Sequence, residues 1–218
     1  MMSRNRTVVA LVALVVLAAA PASFADPITE LMEFEGVGLR LPLQITYSPL
    51  GFDRDMTTAG QMRLEYKGDD YLGYCVDLAQ YAGDAMVEQR SPLSMPRGDM
   101  AAYLFETYAS SVSKNKDAAA LQAAIWEVLN EDPDNGWNID SGQFSVHNNN
   151  SVKAAAQVLL DSLPDSYTPA GTTTVLYSPT KQDMMISLPA GAVPEPCAMV
   201  LMLAGGVVTF MRSRRRAG

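Results

Sequence analysis

Histidine and cysteine are scarce in this sequence. Among 218 residues there are one histidine, His147, and two cysteines, Cys75 and Cys197. A cysteine hydrolase needs a histidine within hydrogen-bonding reach of its thiol, so this chemistry would depend on His147 alone. His147 precedes three consecutive asparagines, 148–150, in a polar stretch that is typical of a solvated loop. The sequence therefore disfavours a hydrolase, which stays open as an alternative.

Basic residues are also few. Residues 26–192 contain 10 Lys and Arg against 23 Asp and Glu, a net charge of about −13 compared with −8 for the whole chain. Such an acidic segment repels nucleic acid, so no nucleic-acid partner is predicted. The acidic cluster of Glu131, Asp132, Asp134 and Asp140 does not have the spacing of an EF-hand loop. We predict neither a metal nor a cofactor.

The N-terminal segment, residues 1–25, has the three parts of a secretory signal peptide. Arg4 and Arg6 form a basic region, and an apolar run of thirteen residues, 8–20, follows. Small residues, Ser23 and Ala25, stand at the positions that precede a signal-peptidase cleavage site. The chain is therefore predicted to be exported.

The C-terminal segment, residues 193–218, has a similar three-part pattern in a different order. It begins with Pro194-Glu195-Pro196, continues with an apolar stretch of fifteen residues, 197–211, and ends in a basic cluster. The cluster is made of four arginines: Arg212, Arg214, Arg215 and Arg216. The apolar stretch is short for a stable membrane span, although an ordinary C-terminal anchor is the simplest alternative.

This arrangement resembles the PEP-CTERM sorting signal. The resemblance implies recognition by an exosortase-type processing protease, with Pro194, Glu195, Pro196, Arg214, Arg215 and Arg216 as the sorting signal. It also implies transient membrane anchoring through residues 197–211, followed by a location at the cell surface or in the extracellular matrix. Removal of the segment would also remove Cys197 and leave Cys75 as the only thiol.

The intervening residues, 26–192, predict one α+β domain, a β-sheet or sandwich with an inserted helical subdomain of about three helices. Strands are predicted at 37–47, 62–66, 71–78, 172–177 and 184–188, with a lead-in at 26–35, a loop at 48–60 and a hairpin turn at 67–70. Helices are predicted at 99–108, 118–130 and 151–163, the last with Ala154, Val158, Leu159 and Leu163 towards the core.

Cys75 and Gln122 form a candidate reactive pair. Gln122 shares a helical face with Ile125 and Trp126, so its carboxamide is expected to point inward. If the helix packs on the strand that carries Cys75, thiolate attack on the carboxamide carbon would expel ammonia and leave a thioester. This reaction needs contact, oxyanion stabilisation and exclusion of water, but no cofactor.

The two segments resemble bacterial thioester domains, also called Cys-Gln or TQXA domains. The matching stretches are Tyr74-Cys75-Val76-Asp77 and 120–126, in which Gln122, Ala123 and Trp126 hold the pattern and Leu121 replaces the usual threonine. The resemblance implies an internal Cys75–Gln122 thioester and covalent attachment to amine-bearing targets, as in an adhesin. It is a single-use reaction and not enzymatic turnover.

Four supporting residues complete the prediction. Tyr74, Ile125 and Trp126 are expected to shield the bond from water, and Asp77 to orient the site by hydrogen bonding from the same strand face as Cys75. The remaining alternative is a non-covalent matrix or carbohydrate-binding scaffold, in which Trp137 on a loop would contact a sugar.

Overall fold

The computed structural model describes residues 29–131 and 136–189. Within these ranges the chain forms seven strands and three α-helices. The strands are β1 (Thr29–Tyr47), β2 (Phe52–Tyr66), β3 (Asp69–Cys75), β4 (Ala85–Arg90), β5 (Phe144–Val146), β6 (Thr173–Tyr177) and β7 (Met184–Ser187). The helices are α1 (Gly98–Tyr108), α2 (Asn115–Asn130) and α3 (Asn150–Leu160).

All the strands belong to one antiparallel sheet in the order β2-β3-β7-β6-β4-β1-β5. The long strand β1 pairs with β4 near its start and with β2 along most of its length, so the sheet closes on itself. The three helices lie in sequence between β4 and β6 and follow the first four strands. The predicted α+β class, a sheet core with an inserted helical region, is confirmed.

The predicted loop at 48–60 is wrong, because β2 begins at Phe52. The first part of β2 pairs with the end of β1, for example Asp55 with Ile45, but most of its side chains are exposed. A strand that is exposed on both faces has no alternation of apolar and polar residues to reveal it. The predicted turn after β2 is confirmed, since Lys67 and Gly68 both adopt the positive φ angles that suit a tight hairpin.

The lead-in predicted at 26–35 is also wrong, because β1 begins at Thr29. Its first four residues pair with β4, from Thr29 with Glu88 to Met32 with Ala85. Strand β4 was not predicted at all, because it is a short segment with half of its residues polar. The start of β1 and strand β4 pair with each other, and they lie more than fifty residues apart in sequence.

Helix α2 is enclosed by other elements. Eleven consecutive residues, from Ala118 to Val128, are buried, and the helix packs against β1, β2, β5, α1 and α3. Five of the buried residues are alanines, whose small side chains allow close approach on several faces. Because the helix is buried all round, its polar residues Gln122 and Glu127 need hydrogen-bonding partners inside the protein.

Helix α3 presents to the core a face that matches the prediction only in part, because Leu159, and Leu163 just after the helix, pack against the core. Val152, Ala156 and Leu160 are buried, whereas Val158 is 67% exposed and Ala154 is also exposed. The helix has apolar residues on two faces, and the sequence alone does not determine which face packs on α2.

Among the described residues, no helix combines the length and apolar character required to cross a membrane. The predicted signal peptide and the predicted sorting segment, with Cys197, lie outside the described residues.

Candidate functional site

Cys75 is the last residue of β3, and its side chain is fully buried. The strand is held in place by β7, where Cys75 pairs with Met184 and the main-chain N–H of Val76 donates to the carbonyl of Asp183 at 3.0 Å. Two residues earlier, Gly73 allows β3 and β7 to pack closely, because a Cβ atom there would lie 2.9 Å from Cγ2 of Ile186.

The carboxamide of Gln122 pairs with the main chain of Cys75 in both directions. The N–H of Cys75 donates to Oε1 of Gln122 at 3.0 Å, and Nε2 of Gln122 donates to the carbonyl of Cys75 at 2.7 Å. Gln122 has no solvent exposure. Two short hydrogen bonds from one planar amide fix both its position and its orientation against Cys75.

The thiol of Cys75 donates to the carbonyl of Asp77, with 2.7 Å between Sγ and the oxygen. The side-chain amide of Gln182 donates to the same carbonyl at 3.1 Å. Burial raises the pKa of the Cys75 thiol to about 12, and the polar groups of Asp77 and Trp126 only partly offset this effect. The site therefore holds a neutral thiol at pH 7.

Trp126 lies on the same face of α2 as Gln122 and is 1% exposed. Its indole N–H is buried and has no hydrogen-bond partner among the described residues. The indole ring packs against Phe144, at 6.2 Å between ring centroids.

The other predicted shielding residues are also buried, on different sides of the site. Ile125 has no exposure and belongs to the core. Tyr74 is 1% exposed, and its ring packs edge-on against Phe105 of α1, with 6.1 Å between centroids. As neighbours on a strand, Tyr74 and Cys75 project to opposite faces of the sheet.

Asp77 contacts the thiol through its main chain. Strand β3 ends at Cys75, so strand alternation does not extend to Asp77. The carbonyl of Asp77 accepts the thiol hydrogen bond, while its carboxylate accepts from the N–H of Ala79 at 2.6 Å and stabilises the turn.

Asp183 was missed by sequence reasoning. It immediately precedes β7, and its carboxylate accepts from the N–H of Ser178 at 2.7 Å. Burial is the main cause of a pKa raised to about 6, and the negative charge of Asp77 contributes. Both carboxylates act electrostatically on the Cys75 thiol. The only sequence signal for Asp183 is an acidic residue directly before a buried apolar strand.

A second buried polar cluster lies at the C-terminal end of α2. Oε1 of Glu127 accepts from the N–H of Asn138 at 2.8 Å, and Oε2 of Glu131 accepts from the N–H of Phe144 at 3.1 Å. Burial raises the pKa of Glu127 to about 8, the nearby Glu131 adds to this shift, and Arg97 opposes it. The two carboxylates fix the loop that leads to β5.

His147 does not join Cys75. It follows β5, where its Nε2 lies 2.7 Å from the Thr46 hydroxyl and 3.4 Å from that of Ser145. Burial and the positive charge of Arg54 lower the pKa of His147. Within the described residues, no hydrogen bond connects the imidazole to the thiol.

Among the described residues, one group of three carboxylates has ligand atoms close enough to hold a metal ion: Glu35, Glu65 and Asp70. Two of the three are exposed, and Glu65 and Asp70 pair at the opposite end of β3 from Cys75. Trp137, the predicted sugar contact, is half-buried, and the Arg97 guanidinium lies 5.9 Å from the centre of its ring.

Comparison with known proteins gives no relative for this chain: no family model, no curated protein and no solved structure matches it.

Proposed function

We propose that this protein forms an internal thioester between Cys75 and Gln122 and uses it for covalent attachment to an amine-bearing target. The observation that carries the proposal is the two-way pairing of the Gln122 carboxamide with the main chain of Cys75. A glutamine with only a structural role needs these hydrogen bonds too, but it does not need a fully buried free thiol on the residue that it pairs with.

The proposed reaction forms a bond between Sγ of Cys75 and Cδ of Gln122 and breaks the bond from Cδ to Nε2. The thiol proton leaves with Nε2 as ammonia, so the atoms balance without a cofactor. In the tetrahedral intermediate the negative charge develops on Oε1, which already accepts the N–H of Cys75 at 3.0 Å. This N–H would act as the oxyanion donor.

Proton removal from the thiol needs a base, because burial favours its neutral form. Asp183 is the candidate, since it directly precedes Met184, the strand partner of Cys75, and its carboxylate acts electrostatically on the thiol. Burial raises its pKa to about 6. The carbonyl of Asp77 and the amide of Gln182 hold the sulfur and its surroundings in place.

Complete burial supports survival of the bond. Cys75, Gln122 and Ile125 have no exposure, and Trp126 has 1%. Water is therefore excluded from both sides of the proposed thioester, which limits hydrolysis. Leu121, in place of the usual threonine, is itself fully buried, and the main-chain N–H of Cys75 offers a donor that needs no side-chain hydroxyl.

The proposed setting is the cell surface or matrix, reached through the signal peptide and the PEP-CTERM-like segment. In this setting the site opens to admit an amine on a matrix protein, a cell or an amino sugar. The amine attacks Cδ of Gln122, and an amide replaces the thioester while the Cys75 thiol is released. The domain acts once per molecule.

The intact mass of the purified domain, residues 26–192, tests the proposal. The wild type should be lighter than its sequence by one ammonia, and the deficit should be absent from Cys75→Ser and Gln122→Ala. Methylamine should add to the wild type and expose one alkylatable thiol. A wild-type mass equal to the sequence, with Cys75 directly alkylated after unfolding, would falsify the thioester.

The indole N–H of Trp126 should speed the reaction with amines, because it can stabilise the thiolate that leaves Cδ. Trp126→Phe removes this donor, and we expect methylamine to react about 10-fold more slowly. A 10-fold slower rate corresponds to an activation free energy that is higher by about 1.4 kcal/mol. The rate is followed by mass. Phe144→Leu, which loses ring volume beside Trp126 and no donor, is the control. Equal rates in Trp126→Phe and Phe144→Leu would exclude this role.

A further inference from the structure

A cavity of about 590 Å³ lies on the other side of β3 from Cys75. We call it the Tyr74 cavity, after one of the residues that line it. Its wall is formed by β2, β3, β6, β7, the end of α1 with the turn that follows, and the loop before β6. This volume is typical of a site for a small molecule or one sugar unit.

Two hydroxyl groups in the wall are buried and unpaired. Tyr74 is 1% exposed and Thr173 is 4% exposed, and neither hydroxyl has a hydrogen-bond partner among the described residues. The carboxamide of Gln61 also lines the cavity, and it makes no hydrogen bond with the Tyr74 hydroxyl. An unpaired buried hydroxyl is unfavourable, so two in one cavity wall indicate a polar ligand.

The charge of the cavity wall restricts the chemical class of the ligand. Glu106 is the only charged residue that lines the cavity as described. Its carboxylate accepts from the hydroxyl of Tyr167 at 2.6 Å and from the N–H of Ala170 at 3.1 Å, which fixes its orientation. A carboxylate has room for about four hydrogen bonds, so Glu106 can also bind an ammonium group. Phosphates and carboxylates find no cation in this wall.

Apolar groups complete the wall. Phe105 lines the cavity beside Tyr74, and Leu72, at its rim, is 52% exposed. An exposed leucine next to a polar cavity provides a surface for the C–H face of a pyranose ring. The combination of hydroxyls, one carboxylate and a small apolar surface matches a hydroxyl-rich primary amine better than a simple alkylamine.

We propose that the Tyr74 cavity binds an amino sugar, with its ammonium group at Glu106 and its hydroxyls at Tyr74 and Thr173. The site is non-covalent and lies across β3 from the thioester, so it is distinct from the point of amine attack. Its role is to hold a glycan on the domain, and it does not require that the thioester forms.

Binding is measured by calorimetric titration of the full mature domain carrying Cys75→Ser, in which no thioester can form. The probes are glucosamine and glucose. Glucosamine should bind saturably and at least about 5-fold more tightly than glucose, since only glucosamine carries the ammonium group. Absence of saturable glucosamine binding would overturn the proposal, and equal affinities would overturn the assigned role of Glu106.

Variants then test the assigned contacts. Tyr74→Phe and Thr173→Val each remove a hydroxyl and keep the side-chain shape, and each should weaken glucosamine binding about 5- to 10-fold. Glu106→Gln should remove the preference for glucosamine over glucose, whereas Tyr167→Phe, which keeps the carboxylate, should retain it. Unchanged affinity in both Tyr74→Phe and Thr173→Val would contradict the site.

Stability provides a second readout that is independent of binding. Because the Tyr74 hydroxyl is unpaired without ligand, Tyr74→Phe should unfold at an equal or higher temperature than the parent. A clear decrease would show that the hydroxyl has a structural partner and would also argue against the site. The mass measurement on the wild type does not depend on any of these results, so the two proposals fail separately.

Discussion

Gln122→Ala should lower the free energy of unfolding by about 3–6 kcal/mol, the largest change expected for one side chain here. The substitution leaves the N–H and the carbonyl of Cys75 without their partners in a site that has no solvent exposure. It also leaves a cavity beside Trp126. Chemical denaturation is measured in a Cys75→Ser background, so that the loss of a covalent bond does not contribute.

The matched control is Gln157→Ala in the same background. Gln157 also pairs its carboxamide with the main chain in two directions, accepting from Ile139 at 3.2 Å and donating to Trp137 at 3.0 Å. Gln157 is half-buried, so water can replace its hydrogen bonds, and we expect a decrease of only about 1 kcal/mol. If the two variants lose the same free energy of unfolding, the buried pairing of Gln122 with Cys75 contributes no more stability than the half-buried hydrogen bonds of Gln157.

The second large effect is a pH dependence that originates at Glu127. Burial raises its pKa to about 8 in the folded protein, and in the unfolded chain a glutamate loses its proton near pH 4.5. Between these values the folded state retains the proton and the unfolded state releases it. The stability contributed by the protonated form is therefore complete below pH 4.5 and is lost as the pH rises towards 8.

We expect the free energy of unfolding to fall by roughly 1–3 kcal/mol between pH 6 and pH 8, from 1.36 kcal/mol per pKa unit. Glu127→Gln, a neutral isostere of the protonated side chain, should remove most of this slope and exceed the wild type at pH 8. Urea denaturation across this range provides the measurement. Asp183, whose pKa is raised to about 6, contributes in the same direction, mainly below pH 6.

Glu88→Gln is the control for charge removal. Glu88 forms an ion pair with Arg90 at 2.9 Å on a partly exposed surface, and its loss should change stability by less than about 0.5 kcal/mol at each pH. A pH slope that persists in Glu127→Gln would assign the effect to another group.

Local signals in the sequence were sufficient to predict the elements whose bounds are set by their own residues. The hairpin at Lys67 and Gly68, helix α1 and strands β6 and β7 were predicted within one or two residues, because their turn residues and periodicity lie within the element. The first half of β2, strand β4 and the three residues of β5 were not predicted. Each is stabilised by pairing with β1 or β6. The pattern of residues within a segment does not indicate which distant strand pairs with it.

Some residues of the candidate site were predicted from the sequence and others were not. Spacing placed Gln122 and Trp126 on one helix face, and the resemblance to thioester domains suggested Cys75 as the partner. The sequence did not show that the carboxamide would pair with the main chain of Cys75, because that depends on where β3 ends. Asp183 and Gln182 reach the site across the β3–β7 pairing, which no sequence motif identifies.

If the domain is linked to a target through Gln122 and held through its C-terminal segment, as proposed above, the closed sheet has a mechanical consequence. Strand β7 is the last strand before the C-terminal segment, and it lies between β3 and β6. A pull transmitted through the residues after Leu188 would therefore load two antiparallel hydrogen-bond ladders, one of them the ladder that includes Cys75. A target bound at Gln122 would be connected to that segment through α2, β3 and β7.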